Sequence, residues 1–360
     1  MRCIFRSRFL YIPLLYLFLY FPLIGFFMTT PAAAGAPLRS PWDLHPVALS
    51  DHPYSCPAPT HVSPNLTSSG YYTDSHHSVI DPEAQEQYKE ITAPYQEVAK
   101  KIIAAADAYQ TTGSRAAADC AASLIDTAAK DRFLAGSMNG RQSFYVQKWL
   151  VGAIAIAYLK VRPSGVVSPA QSAEILSWLK AVAAQSMEFA DPPNSRHPPV
   201  PNNHRYYTGM EVAAIGIAAD DQSLWKWGLG SAEIGIKQIE KDGTLPREMD
   251  RAARALHYHL FATGPLVMVA EFAAANGKDL YDAHNGALKR LVERASSGVS
   301  DAGYFRQKTG VEQEIPAWTS TADFVWLQPY VRRFPNPALS AMLAKLNSLN
   351  ALYLGGLPPP

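Results

Sequence analysis

Charge is scarce in this chain and nearly balanced. Over 360 residues, 32 Lys and Arg face 31 Asp and Glu, a formal net charge of +1. So neutral a chain lacks the basic face that bulk nucleic-acid binding requires. That class of partner is excluded, and an anionic ligand would have to meet a local positive field. Cysteine is rarer still, with only Cys3, Cys56 and Cys120. Neither of the last two has a Cys or His neighbour at ligand spacing, so no metal is expected, nor any other cofactor. No segment alternates apolar and polar residues with period two, which predicts minimal sheet. Fixed-period repeats are absent too. After the first 34 residues every helical run is interrupted by charge, so no later bilayer span is expected.

The first 34 residues read differently. Arg2, Arg6 and Arg8 precede an apolar run over 9–28, and Pro31-Ala-Ala-Ala-Gly-Ala36 follows. That order is an export signal. Cleavage after Ala34 removes three Arg charges and takes the net charge from +1 to −2. The apolar run is long for a signal, so an uncleaved anchor is the alternative. Export places the protein in the periplasm or outside the cell and puts Cys56 and Cys120 in an oxidising setting. Two readings follow: a Cys56–Cys120 bridge tying an extended N-terminal segment to an early helix, or two buried thiols.

Residues 35–70, rich in Pro, Ser and His without a period, read as an extended arm on the surface. Tyr71-Tyr72-Thr73-Asp74-Ser75-His76-His77-Ser78 has no helical stripe and reads as a mobile loop. Helices are expected at 82–109, 114–130, 143–161, from 169 onward, and at 206–219, 221–241, 250–276, 281–296, 324–331 and 338–349. Pro169 sits at a first helical position. Connections such as Asp220-Asp221 are short, so neighbouring helices are expected to be antiparallel. Ten or so such helices with Ala- and Gly-rich faces point to an all-α toroid or solenoid. The expected boundaries are 1–34 for the signal, 35–70 for the arm and 71–357 for one helical domain.

Three stretches concentrate chemistry. Pro198-Pro-Val-Pro-Asn202-Asn203-His204-Arg205-Tyr206-Tyr207 opens an apolar helix, with Asn202 or Asn203 as its N-cap. A cap accounts for one Asn. A second Asn, a His and two Tyr gather amide, imidazole and phenol groups at a helix end, although aromatic core residues behind a cap are the plainer reading. In the second stretch, 245–259, a continuous helix would project Arg251 and Tyr258 from one face, with Arg254 between them. A guanidinium there would orient a carboxylate and favour ionisation of the phenol; a surface Arg–Tyr stack, with His257 and His259 as ordinary polar residues, is the alternative. In the third, Gln142 and Trp149 are again seven apart. An indole suits a sugar ring and an amide suits its oxygens; a core aromatic and a solvated amide are the alternatives.

Taken together these stretches resemble one family. Asn202 to Tyr207 is similar to the Asn-Asn-His-x-Tyr-Trp signature of bacterial alginate lyases, polysaccharide lyase family five, with Tyr207 in place of Trp. Residues 245–259 resemble the family's Leu-Pro-x-Glu-Leu-x-Arg-x-x-Arg-Ala-Leu-x-Tyr-His, whose Arg and Tyr match Arg251 and Tyr258. Gln142 and Trp149 match a groove-lining pair, and Trp326 to Tyr330 matches a structural Trp-Leu-x-Pro-Tyr. Tyr353 stands where relatives place Arg before Leu-Gly-Gly. The resemblance covers 56–356. It implies an incomplete (α/α) barrel with a deep substrate groove and a lid carrying Tyr71 and Tyr72. Gly70 occupies the place of that lid's usual basic residue.

The resemblance implies β-elimination on a 1,4-linked polyuronate, and the residue types suit it. Removing the C5 proton of a uronate requires that its carboxylate first be neutralised. Asn203, His204 and Arg251 are the expected donors. Tyr258 is expected to take the C5 proton and protonate the departing C4 oxygen, with His204 as the alternative base. Gln142, Trp149, Tyr207, Tyr71, Tyr72 and Arg254 are expected to bind an anionic polysaccharide, and the protein is expected to be a monomer. A glycosidase would need two facing carboxylic acids. Glu211, Glu248 and Asp250 are available, but none joins an aromatic cluster. A non-catalytic polysaccharide-binding or secretion protein is the remaining alternative, against which His204 and Tyr258 stand.

Overall fold

Short polar caps set where the helices begin. Ser40 closes a capping box on α1 (Pro41–Leu44), and Asp81 accepts two free N–H groups of α2 (Pro82–Thr112). Ser114 caps α3 (Arg115–Lys130). After α4 (Arg141–Val161), Ser168 and Pro169 open α5 (Pro169–Ala190). Asn202 caps α6 (Asn203–Ala218), and Asp221 caps α7 (Gln222–Lys237). Each cap satisfies donors that the first helical turn leaves free. The computed structural model describes residues 36–192, 200–315 and 324–360. The expected export signal and its cleavage point therefore lie outside the described residues, as do Pro198 and Pro199.

The remaining chain runs through α8 (Pro246–Met249), α9 (Ala255–Ala275), α10 (Ala283–Ser300), α11 (Gly303–Thr309), α12 (Leu327–Arg333) and α13 (Pro337–Leu343). Among the described residues the only sheet is a parallel pair of β1 (Leu66–Thr67) and β2 (Met138–Asn139). Helices α2, α4, α6 and α9 pack side by side in succession, and α3, α5, α7 and α10 pack outside them. This is the expected all-α toroid. Nearly every residue of α4, α6 and α9 is buried, as an inner ring requires. Small residues let the layers close: a Cβ on Gly228 of α7 would lie 2.5 Å from the Ala213 nitrogen of α6.

Several expectations are corrected. Helix α9 begins at Ala255 rather than near 250, because Ala252 takes a left-handed φ of 49° and splits the stretch into α8, a 3-10 turn and α9. Helix α10 carries three left-handed residues from His284 to Gly286, and α13 stops at Leu343. Helix α11 was not expected. Tyr71 to Ile80, expected as a loop, form a closed turn, with Asp74 accepting from the Ser78 and Val79 N–H groups. By length and apolar content alone, Arg141–Ser164 and Ala252–Ala275 could each cross a bilayer, which the sequence reading had excluded. Both are packed inside this unit instead, the charges Lys148 and Lys160 included.

The arm belongs to the same compact unit, Pro37–Pro360. Cys56 is bridged to Cys120 of α3 across 64 positions of sequence. Closing a loop of that length is worth about 4 kcal/mol in the chain-entropy picture. Reduction is therefore expected to lower Tm by several degrees, measured with and without dithiothreitol. Two freely alkylatable thiols in the unreduced protein would contradict the bridge.

Candidate active site

Three inner helices direct their first turns at one groove. Its two lobes, about 1300 and 860 Å³, meet at Arg141, Tyr145, Asn202, His204 and Arg251. Helix N-termini carry partial positive charge, and Arg141, Arg251 and Arg254 add to it, so a near-neutral chain concentrates a positive field at one place. Glu188 and Asp250 line only the larger lobe.

His204 leaves the first turn of α6 and stacks on Tyr145, with ring centres 3.6 Å apart and planes 12° apart. Its Nδ1 is buried without a partner. Burial, with Lys148 and Arg251 nearby, holds its pKa well below the ordinary histidine value, so the ring is neutral at physiological pH.

Facing the same space, Tyr258 lies close to two guanidiniums. Arg251 stands 4.6 Å from its ring centre and Arg254 5.8 Å. The arrangement survives the broken helix, because the 251–254 turn folds Arg251 back over the ring. Two devices hold that turn. His259, fully buried, accepts from the Leu245 N–H at 2.9 Å through Nε2 and donates from Nδ1 to the Ala255 carbonyl at 2.7 Å. Glu248, also fully buried, lies 3.7 Å from Arg251 Nε and accepts from the Asn203 N–H at 2.8 Å and its side-chain amide at 2.9 Å.

The Tyr258 hydroxyl donates to Tyr72 of the lid turn at 2.9 Å, and His76 reaches the Asp250 carbonyl at 2.8 Å. The lid thus touches the opposite wall at two points. The sequence argument that the arginines favour ionisation of Tyr258 is corrected. They do pull its pKa down, but burial outweighs them and the net shift is upward, so Tyr258 rests as a phenol.

The smaller lobe ends in an aromatic wall. Trp149 stacks on Tyr353 at 5.0 Å and meets Tyr207 edge-on at 6.2 Å, and Gln142 and Tyr88 line the same lobe. Tyr71 packs at a tilt against both Tyr72 and Tyr88, with ring centres 4.8 and 5.1 Å away. A buried clasp seats Tyr353 there. Lys160 donates to the Gly355 carbonyl at 2.6 Å and pairs with Asp107, which in turn accepts from Leu357 N–H at 3.0 Å.

Nine of the ten expected site residues line the groove: Gln142, Trp149, His204, Tyr207, Tyr71, Tyr72, Arg251, Arg254 and Tyr258. Asn203 does not. It is fully buried and spends its amide on Glu248, so it stands behind Arg251 and leaves Asn202 on the groove wall. Helix geometry decides which of two adjacent Asn faces inward, and sequence alone did not. Arg141, Tyr145 and Lys148 went unread, although 141, 145 and 148 share one helical face with Trp149. For the glycosidase alternative, Glu211 and Glu248 are sealed away and Asp250 is exposed at the rim beside Arg247, so none forms a facing pair.

The alginate lyase family model matches residues 65–305. A polysaccharide lyase of Stenotrophomonas maltophilia is 41% identical over 305 residues, covering 84% of this chain and 89% of its own length. An alginate lyase of Azotobacter vinelandii is 31% identical over 291 residues, covering 79% and 77%. Among solved structures, alginate lyase A1-III from Sphingomonas species A1 has a TM-score of 0.72 at 24% identity, over 89% of this chain and 95% of that one, a likeness of fold. Fold, groove and relatives define a polysaccharide lyase built on an (α/α) toroid. The chain belongs to the alginate lyase family.

Proposed function

We propose that this groove cleaves alginate-type polyuronates by β-elimination, with His204 and Arg251 meeting the C5 carboxylate and Tyr258 handling both protons. The observation that carries the reading is the placement of one buried phenol close to two arginines, in the same cleft as a neutral imidazole. Since Tyr258 rests protonated, its proton goes to the C4 oxygen as the C5 proton arrives. The C5–H and C4–O bonds break, a C4=C5 double bond forms, and the phenol is regenerated. A single group can do both only if the hydrogen and the leaving oxygen depart from one face of the sugar. Asn203 acts from behind, holding Glu248 and through it Arg251.

Incubating the protein with a panel of polyuronates tests this, because the unsaturated product absorbs in the ultraviolet. New reducing ends without that absorbance would indicate a hydrolase, and binding without either would indicate a non-catalytic protein. Substrate preference is expected to depart from pure polymannuronate towards glucuronate-containing polymers. Tyr207, Tyr353 and Gly70 replace a Trp and two cations of the family pattern in the wall and lid. Comparison of kcat/KM across the panel decides it, and a clear preference for polymannuronate would show these replacements to be neutral. The Cys56–Cys120 bridge supports export to an oxidising compartment, the periplasm or the outside of the cell.

A further inference from the structure

Beneath His204 two ionisable side chains are buried together and take no part in the chemistry above. Helices α4 and α6 meet closely at Gly152 and Glu211, where a Cβ on the glycine would lie 3.1 Å from the Glu211 Cβ. Lys148, one turn before Gly152, is 2% exposed and Glu211 is 0% exposed. The Lys148 ammonium donates to the His204 carbonyl at 3.0 Å and lies 4.4 Å from the centre of the Tyr145 ring. That ring is the one stacked on the imidazole. The Glu211 carboxyl has no aligned hydrogen bond, although Ser186 sits beside it and Lys148 attracts it. A buried pair with unfilled lone pairs is a poor source of stability, since apolar side chains of similar volume often do as well. What Lys148 touches suggests a different use.

We propose that Lys148 is a positioning residue for His204, tying down the carbonyl of its turn, seating the Tyr145 ring against it and presenting an ammonium to the imidazole. The inference rests on the reading that His204 works on the substrate. The other groups facing the imidazole are Arg141 and Tyr145 of α4, Arg251 of the α8–α9 turn and His77 of the lid turn, with Glu248 screened behind Asn203. Burial lowers Lys148 to about 7 and raises Glu211 to about 8. Over the acid range where His204 titrates, Lys148 is therefore charged and Glu211 is already neutral.

The test is Lys148→Met, read by NMR titration of the His204 ring and by the pH profile of kcat/KM. Removing a neighbouring cation makes the ring easier to protonate, so both the ring titration and the acid limb should move up by about one pH unit. The kcat value should fall about tenfold with KM changed far less, and Tm should fall, because one partner of a buried pair and the donor to the His204 carbonyl are both removed. Glu211→Gln should leave the acid limb where it was. If Lys148→Met fails to fold, Lys148→Arg keeps the charge and must keep the ring titration in place. A His204 titration unmoved in Lys148→Met overturns the inference whatever the rates do. A shifted titration with unaltered kcat would instead remove His204 from the catalytic assignment.

Discussion

Tyr258→Phe is expected to lower kcat by at least about 10²–10⁴-fold, the range for loss of a general acid–base group, while the protein folds and still binds polymer. The substitution deletes one oxygen. The ring keeps its place beneath Arg251 and its edge contact with Phe261. The hydrogen bond to Tyr72 is lost, which costs about 1 kcal/mol by the usual net value and leaves Tyr72 beside Tyr71. Binding depends on the arginines and the aromatic wall, so KM should change little. Steady-state kinetics, Tm and retention on immobilised polyuronate measure the three quantities separately. Near-normal kcat with a normal melt would pass the proton transfers to His204.

His204→Ala should be nearly as damaging, with kcat down by about 10²–10³-fold and KM affected less, because a donor that meets developing charge acts mainly in the transition state. The loss would also expose Tyr145, whose ring stacks on the imidazole, so the melt must be recorded beside the rate. The direction of the pH dependence follows from the lowered pKa. The neutral ring is the competent form, and activity is lost only as pH falls through that lowered value. The acid limb of kcat/KM should therefore lie below the ordinary histidine value of about 6.5. An acid limb at or above that value would argue that the limb belongs to another group. Added imidazole restoring part of the rate in His204→Ala would support a chemical role for the ring over a purely packing one.

The sequence by itself determined the helical class, because a period near 3.6 and polar caps such as Asp81, Ser168 and Asp221 act locally and need no tertiary partner. It also determined which residue types could meet a uronate, since Asn202 to Tyr207 and Arg251 to Tyr258 carry their chemistry within short stretches. Tertiary structure decided how that chemistry is arranged. Residues 250–254 look helical by propensity, yet the Asn203–Glu248 and Leu245–His259 bonds hold a turn there, and those partners are 45 and 14 positions apart. The same long-range packing turned Asn203 away from the groove, placed Lys148 under His204 from another helix, and buried Tyr258 deeply enough to override two arginines. Burial and charge proximity depend on which helices become neighbours, and no local pattern encodes that.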